Sequence, residues 1–194
     1  MNNYKYKFFL VLFFISIISM SQYETQEYEL ISNLDEIEIR YYPSSIMVKY
    51  IDDQNLNRGF NYLFRYISGG NDLNKKIEMT TPVHMERGDK NSSMEFVLPR
   101  EFSFKNAPKP NNSKVKVYES ENLFYAAISY SGYTNYDKER VMIKKIKSKL
   151  IEKNIEIIGR EKVLVYNSPY KFFNRRNEII IPINYNKTKK LFRD

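Results

Sequence analysis

NRGFNYLFRYISGGNDLNKKIEMTTPVHM, residues 57–85, decides how the rest of the chain is read. Phe60, Leu63, Phe64 and Ile67 fall at i, i+3, i+4 and i+7, one apolar stripe of an α-helix. Arg58, Asn61, Tyr62 and Arg65 share another face and mix cation, amide and phenol. Ser68-Gly69-Gly70-Asn71 ends the helix, because glycine enters the left-handed cap conformation without a Cβ clash. Lys75 to Met79 leads into Thr80-Thr81-Pro82-Val83, where Pro82, lacking an N–H, belongs at a strand edge, bulge or exit. A helix with arginines beside aromatics, facing a methionine-bearing strand, suits a flat apolar anion. The same residues also suit ordinary core with a solvated rim.

Upstream of this stretch, Tyr28–Ile31, Glu36–Tyr42 and Ile46–Ile51 alternate in the manner of strands, with turns at Asn33–Asp35 and Pro43–Ser45. Asp52, Asp53 and Asn55 offer caps for the helix that follows. Downstream, Met94–Leu98 is a strand, and the polar segment from Phe102 to Ser113, with Pro108 and Pro110, connects two halves. Lys114–Tyr118 and Leu123–Tyr130 are strands again. A helix over Asn135–Lys153 follows, with Met142, Ile143, Ile146, Leu150 and Ile151 as its apolar stripe. Glu161–Tyr166 and Glu178–Ile183 close the chain as strands around an aromatic loop. The order strand, strand, helix, strand, strand therefore occurs twice, as a pattern without sequence identity.

A chain of 194 residues holds one domain with a sizeable core. Tyr and Phe number 17 and 13 with no Trp, a content that favours β-rich structure and rings free for stacking. The net charge of +8 favours acidic partners, but outside Lys144, Lys145, Lys147 and Lys149 and the tail Lys187, Lys189, Lys190 and Arg193 the acids are interleaved, so the field is diffuse and nucleic acid is not the expected partner. Lys5 and Lys7, the 13-residue apolar run Phe8–Met20, and the small residues Ser19 and Ser21 predict a signal peptide over residues 1–21. The run is shorter than the about 20 residues a membrane helix needs, and an uncleaved anchor is the alternative. The expected organisation is a leader over 1–21, a domain over 22–184, and a basic tail over 185–194. The expected location is outside the inner membrane, periplasmic or secreted. With no cysteine, the chain carries neither a lipid-modified Cys nor a disulfide.

Catalytic constellations are scarce. There is no Cys nucleophile, no phosphate loop, and a single histidine, His84, which rules out a His-based zinc cluster. Glu36 with Glu38, and Glu119 with Glu121, sit two apart in strands and read as solvated faces. The inventory predicts a protein that is not an enzyme. His84 itself reads either as a partly exposed strand-end side chain or as an axial ligand to porphyrin iron. Tyr41 and Tyr42 are candidate phenolate ligands, and Met79 and Met85 read as core filler. Arg175-Arg176 suits either carboxylate ligands or an ion pair with Glu178.

Tyr66-Ile67-Ser68-Gly69-Gly70-Asn71-Asp72 followed by Lys76-Ile77-Glu78-Met79-Thr80-Thr81-Pro82-Val83 resembles the SOUL heme-binding protein family. The likeness continues in Glu38-Ile39-Arg40-Tyr41-Tyr42-Pro43, Gly59-Phe60 and Ser131-Gly132-Tyr133. It ends in Tyr166-Asn167-Ser168-Pro169 and Arg175-Arg176-Asn177-Glu178, so that it spans Tyr28 to Ile183. The resemblance implies an α+β fold, a distorted β-barrel of about eight strands with two helices in two similar β-β-α-β-β halves. It implies non-covalent binding of heme, other porphyrins being admitted, in a shallow apolar pocket beside the first helix. Carried over by position, Phe60, Leu63 and Phe64 line that pocket and Arg65 faces a propionate. Some members carry a histidine, proposed as axial ligand, where this chain has Tyr41; the ligation mode therefore stays open among Tyr41, His84 and purely apolar contact. The implied role is a heme or tetrapyrrole carrier or buffer. The rivals are an effector-type module for other flat hydrophobic molecules and a tetrapyrrole-modifying enzyme.

Overall fold

The structure is a computed structural model that describes residues 23–52, 56–88 and 92–186. The expected leader, the capping residues Asp53 and Asn55, and the tail beyond Asn186 lie outside the described residues. Tyr185 is described, and its ring packs 5.7 Å from that of Phe124. Among the described residues no helix is long and apolar enough to cross a membrane.

The first half holds β1 (Glu24–Thr25), β2 (Glu29–Leu34), β3 (Ile37–Tyr42), β4 (Ile46–Asp52), α1 (Leu56–Ile67), β5 (Thr80–Thr81), β6 (Val83–Glu86) and β7 (Ser92–Val97). The second holds β8 (Val115–Glu119), β9 (Leu123–Ser131), α2 (Tyr136–Glu152), β10 (Glu156–Ile157), β11 (Lys162–Val165) and β12 (Arg176–Asn184). Ten strands form one sheet in the order β2-β3-β9-β12-β11-β6-β7-β4-β8, with β10 attached to β12. The fold is α+β, and the sheet is barrel-like but open. Its curl is evident from one small space of about 30 Å³ that Tyr42 of β3 and Tyr118 of β8, near opposite ends of the strand path, both border.

The repeat expected from the pattern is a two-fold in the hydrogen-bond register. In the first half Val48 pairs with Val117 and Phe96, and Phe96 with Val83. In the second, Ile128 pairs with Ile37 and Ile179, and Ile179 with Val163. One offset of 80 carries 37 to 117, 48 to 128 and 83 to 163, and an offset of 83 carries 96 to 179. The path β3-β9-β12-β11-β6-β7-β4-β8 maps onto its own reverse, so the eight strands of the expected count are the symmetric ones. β3 and β8 are exchanged: each pairs with the other half's central strand.

Both helices pack on one face of the sheet. Alternation places Ile46, Val48, Tyr50, Met94 and Phe96 under α1, and Ile37, Ile39, Ala126, Ile128, Ile179 and Ile181 under α2. Met85 touches both clusters. The stripe expected on α1 divides. Leu63 and Ile67 are buried together with Tyr66, whereas Phe60 and Phe64 are 39% and 50% exposed. The cause is Gly59, whose added Cβ would meet Met94 Cβ at 3.1 Å, so α1 lies down on the sheet along Gly59 and Leu63 and tips Phe60 outward. On α2, Ile146 and Leu150 are fully buried as expected, but Ile151 is exposed, one step past the buried line. Asn135 caps α2 by accepting from the Lys138 N–H at 3.0 Å.

The turn after α1 is organised by Asn71, which is fully buried. Its amide donates to the carbonyls of Tyr66 and Lys75 at 3.0 and 2.7 Å, and its side-chain oxygen accepts from the N–H groups of Leu73 and Lys75 at 3.3 and 3.0 Å. Lys75–Met79 runs in without strand pairing beyond the single Ser68–Lys76 bridge, and the ladder begins at Thr80. Pro82 separates β5 from β6, as its missing N–H requires.

Candidate functional site

The helix face presents a ledge. Phe60 and Phe64 stack with centroids 5.8 Å apart and planes at 11°, and Phe60 sets its edge on buried Phe96 at 5.5 Å. Leu63 lies beneath them in the core rather than on the surface. Arg58 and Arg65 are exposed on another face of α1, about 100° or more around the helix from the pair. The Arg65 end is pinned: Gly70 N–H donates to the Arg65 carbonyl at 2.9 Å, and a Cβ on Gly70 would meet that oxygen at 2.7 Å. The helix thus offers flat apolar surface with hydrated cations on its adjoining face, and a planar dianionic ligand needs both.

Tyr41 is not part of this ledge. It sits on β3, its ring 5.2 Å from Phe124 in the layer that α2 covers, and it borders a cavity of about 570 Å³ beside residues 25–29. α1 instead packs over β4, β7 and β8.

His84 is elsewhere again. Val83 and Met85 of β6 point toward α1, so His84 between them points into the barrel, and it is 5% exposed rather than standing at an open strand end. One porphyrin cannot touch both His84 and the Phe60–Phe64 pair. Gln26 offers its side-chain carbonyl to His84 Nε2 at 2.8 Å, while its own amide nitrogen lies 3.4 Å from Ser45 Oγ. In that arrangement Nε2 carries the proton, and Nδ1 is a buried lone pair without a partner. Burial, with the charge of Lys162, pushes the His84 pKa down to about 3, so the imidazole is neutral.

Around it lies the polar centre of the barrel. Glu95, paired across the ladder with His84, receives Lys162 Nζ at 2.7 Å. Lys49 stands 3.0 Å from its other oxygen, close enough for an ion pair but off the line of a hydrogen bond. Burial opposes ionisation of Glu95, yet the lysines outweigh it and bring the pKa down to about 2. Burial and the charge of Glu95 push the Tyr118 pKa up. Glu178 accepts from Arg40 at 2.7 and 3.0 Å, Arg176 at 2.7 and 3.1 Å, Tyr166 at 2.7 Å and Ser129 at 2.8 Å. Burial again opposes its charge, and Arg40 with Tyr166 and Arg176 holds the pKa down at about 2.

Arg176 therefore takes the structural alternative, pairing with Glu178, and Arg175 braces its loop by donating to the carbonyls of Asn167, Ser168 and Lys171. Reading strand acids as solvated holds for Glu36, Glu119 and Glu121, but Glu38 is half-buried and accepts from Arg40 Nε at 2.7 Å, and the reading overlooks Glu95. The signal that could have found it is an acid flanked by Met94 and Phe96 in a strand with apolar residues on both faces. Among the described residues, no group of three or more His, Asp or Glu side chains could hold a metal ion.

The fold is thus a curled, internally two-fold α+β sheet carrying two outer helices, with an aromatic ledge on the first. The chain belongs to the SOUL heme-binding protein family, whose model matches residues 23–182. It is 31% identical over 157 residues to Heme-binding protein 2 of Homo sapiens, covering 73% of this chain and 75% of the relative. It is 27% identical, over the same shares, to Heme-binding protein 2 of Mus musculus. Among solved structures, the C-terminal domain of EcmrR aligns with a TM-score of 0.58 at 12% identity, over 82% of this chain and 99% of that one. A hydrolase from Listeria innocua aligns at 0.55 and 7% identity, over 79% and 94%. These two share the fold.

Proposed function

We propose that this chain is an exported, non-enzymatic carrier or buffer of heme or a related tetrapyrrole, seating the porphyrin non-covalently on the α1 ledge. The observation that carries the reading is the stacked, exposed Phe60–Phe64 pair on a helix whose buried side is core and whose next face carries exposed Arg65. The residues fit the group. Covering a few hundred Å² of porphyrin at about 25 cal/mol/Å² supplies enough free energy for micromolar affinity after association costs. Leu63 supports the ledge from beneath, and Arg65 orients a propionate more than it tightens binding. Bound heme would bring the iron; the chain's part is to cover one face of the ring and keep it from aggregating. Export rests on the expected leader over residues 1–21, and the domain and basic tail follow from the same division.

Titration of the purified chain with hemin, followed at the Soret band, tests the reading. The expected result is a saturable shift with half-saturation below about 10 μM, weakened about tenfold in Phe60→Ala/Phe64→Ala with unchanged circular dichroism. A titration without saturation, or a double variant that binds as tightly as the parent, sinks it.

A further inference from the structure

Among the described residues, the most exposed aromatic side chains stand together on the loop between β11 and β12. Tyr170 and Phe173 are 83% exposed and Phe172 is 71% exposed, well above the two rings of the ledge. Every residue from Ser168 to Asn174 is exposed. Apolar surface grouped in this way marks an interaction site.

The loop is held out from beneath. Buried Arg175 donates to the carbonyls of Ser168 and Lys171 at 2.6 and 2.7 Å and of Asn167 at 3.3 Å, and its guanidinium lies 4.3 Å from the centre of the Tyr133 ring. Tyr133 donates its hydroxyl to the Pro169 carbonyl at 3.1 Å, and the Asn167 side chain accepts from the Arg176 N–H at 2.7 Å. The three rings therefore project from a braced base.

The same end of the molecule is positive. Lys171 lies between Tyr170 and Phe172 in the chain, and Lys138 of α2 reaches the neighbouring loop, its ammonium 3.2 Å from the Tyr133 carbonyl. Arg175 adds a buried cation with which, among the described residues, no carboxylate pairs, and its Nε has no partner. Across residues 131–140 and 167–176 the exposed cations are Lys138, Arg140, Lys171 and Arg176, and the exposed acid is Asp137. Arg176 is balanced by Glu178, and Glu139 is buried and committed to Arg87 and Thr134.

We propose that this loop is an interfacial anchor for an anionic phospholipid surface. Tyr170, Phe172 and Phe173 enter the headgroup region, and Lys171 and Lys138 meet the lipid phosphates. Shape and size argue for this occupant. None of the cavities described above borders the loop, which is a protrusion rather than a groove. A protein interface of ordinary size needs about 20–30 residues a side, whereas this tip offers seven consecutive exposed ones. A bilayer asks for less: aromatic rings are favoured at the membrane–water boundary, and binding grows with the apolar area that enters and with the attraction of cations to anionic lipid. The net charge of +8 draws the chain toward such a surface, and the loop supplies the part that enters it. The proposal rests neither on the ledge nor on heme.

The chain contains no tryptophan, so one placed by substitution reports on its own surroundings alone. Phe173→Trp puts the reporter at the tip. Ile158→Trp puts it at the far end of β12, where the Ile158 N–H donates to the Pro182 carbonyl at 3.0 Å, whereas the loop enters β12 at Arg176. Each full-length variant is mixed, without hemin, with vesicles of phosphatidylcholine alone or with about one third phosphatidylglycerol. Emission is followed with and without brominated acyl chains. Any contact made through residues 1–21 is common to all variants, so the loop is read from the differences between them.

The Phe173→Trp chain is expected to shift its emission to the blue and to be quenched by brominated lipid in the phosphatidylglycerol vesicles, and the Ile158→Trp chain to do neither. Adding Lys138→Glu/Lys171→Glu to Phe173→Trp is expected to raise the lipid concentration at half-quenching at least about tenfold, with added salt acting in the same direction. Adding Tyr170→Ser/Phe172→Ser is expected to raise it about tenfold. Emission that vesicles leave unmoved overturns the proposal and turns the loop over to a protein partner. Equal quenching of the tip and far-end reporters, or a half-quenching point unmoved by the charge reversal, overturns it as well. If Phe173→Trp does not fold, Tyr170→Trp serves as the tip reporter and decides.

Discussion

Glu95 and Glu178 occupy the same place in the two halves: the offset of 83 that carries Phe96 to Ile179 carries one glutamate to the other. Both are buried carboxylates inside the barrel, and both are held ionised. Their surroundings differ. Glu178 is clamped by two arginines in fork geometry, a phenol and a hydroxyl, every partner within hydrogen-bond distance. Glu95 is held by two lysines that are 27% and 19% exposed, and beside it His84 Nδ1 and Ser93 Oγ have no partner. Arginine forks fix a geometry, whereas lysines follow a charge through several positions. The second half uses the site as a rivet. The first half leaves it adaptable.

The sharpest way to break this comparison is to neutralise each glutamate. Glu178→Gln leaves Arg40, which is almost wholly buried, with Glu38 as its remaining carboxylate partner, and is expected to cost about 3 kcal/mol. Glu95→Gln is expected to cost about 1–3 kcal/mol, because Lys49 and Lys162 can swing their ammonium groups to water along their stems. Urea midpoints at pH 7 measure both. Equal losses would mean that the two centres are equivalent rivets.

Where the halves agree, the variants should agree too. Leu63 and Ile146 are the helix residues that fall fully buried at corresponding turns of α1 and α2. Leu63→Ala and Ile146→Ala are each expected to cost about 2–5 kcal/mol, read from the same urea midpoints. A much smaller loss on α1 would mean that the ledge helix is less firmly seated than its partner.

Acid should separate the halves by pH. The folded pKa of His84, about 3, lies below its ordinary 6.5, so between those values the unfolded chain binds a proton that the folded chain refuses. Stability then falls as pH drops from 6.5, by about 1.4 kcal/mol per unit. The glutamates add to the fall only below 4.5, their ordinary value, as the pH moves toward their folded values of about 2. Urea midpoints measured from pH 7 to 4.5 should decline in the parent and stay nearly level in His84→Gln. A parent that is flat over that range would mean that His84 is protonated or solvated in the fold.

Much of this architecture was legible from periodicity. Alternating strands and a 3.6-residue stripe give eight strands and two helices in a repeated order, because both periods are local. The exchange of β3 and β8 was not, since alternation says which face a residue takes and nothing about which strand it pairs with. The site was legible in part. Phe60 and Phe64 come together on one exposed ledge with Arg65 on the next helix face, but Leu63 goes under it, because the approach allowed by Gly59 depends on Met94 and Tyr50 in other strands. His84 reads as exposed when only Pro82 and Met85 are weighed; its partner, Gln26, lies 58 residues away. Glu95 was hidden because the lysines that make its burial tolerable come from β4 and β11.

The smallest expected stability effect tests the largest functional difference between the halves. Aligned on their buried pairs, Leu63 and Ile67 of α1 match Ile146 and Leu150 of α2, and Phe64 then matches Lys147. At that outward position α2 has a lysine paired with Glu161 at 2.9 Å, the ordinary choice for a solvated helix. α1 has a half-exposed phenylalanine stacked on another. An exposed aromatic contributes little to folding, so Phe64→Lys, which brings the α2 solution to α1, should change stability by no more than about 0.5 kcal/mol. On the ledge reading the same change removes half of the flat surface. Hemin half-saturation should therefore rise several-fold while the urea midpoint stays in place. If both stay in place, the phenylalanine pair is surface without a ligand, and the ledge reading fails.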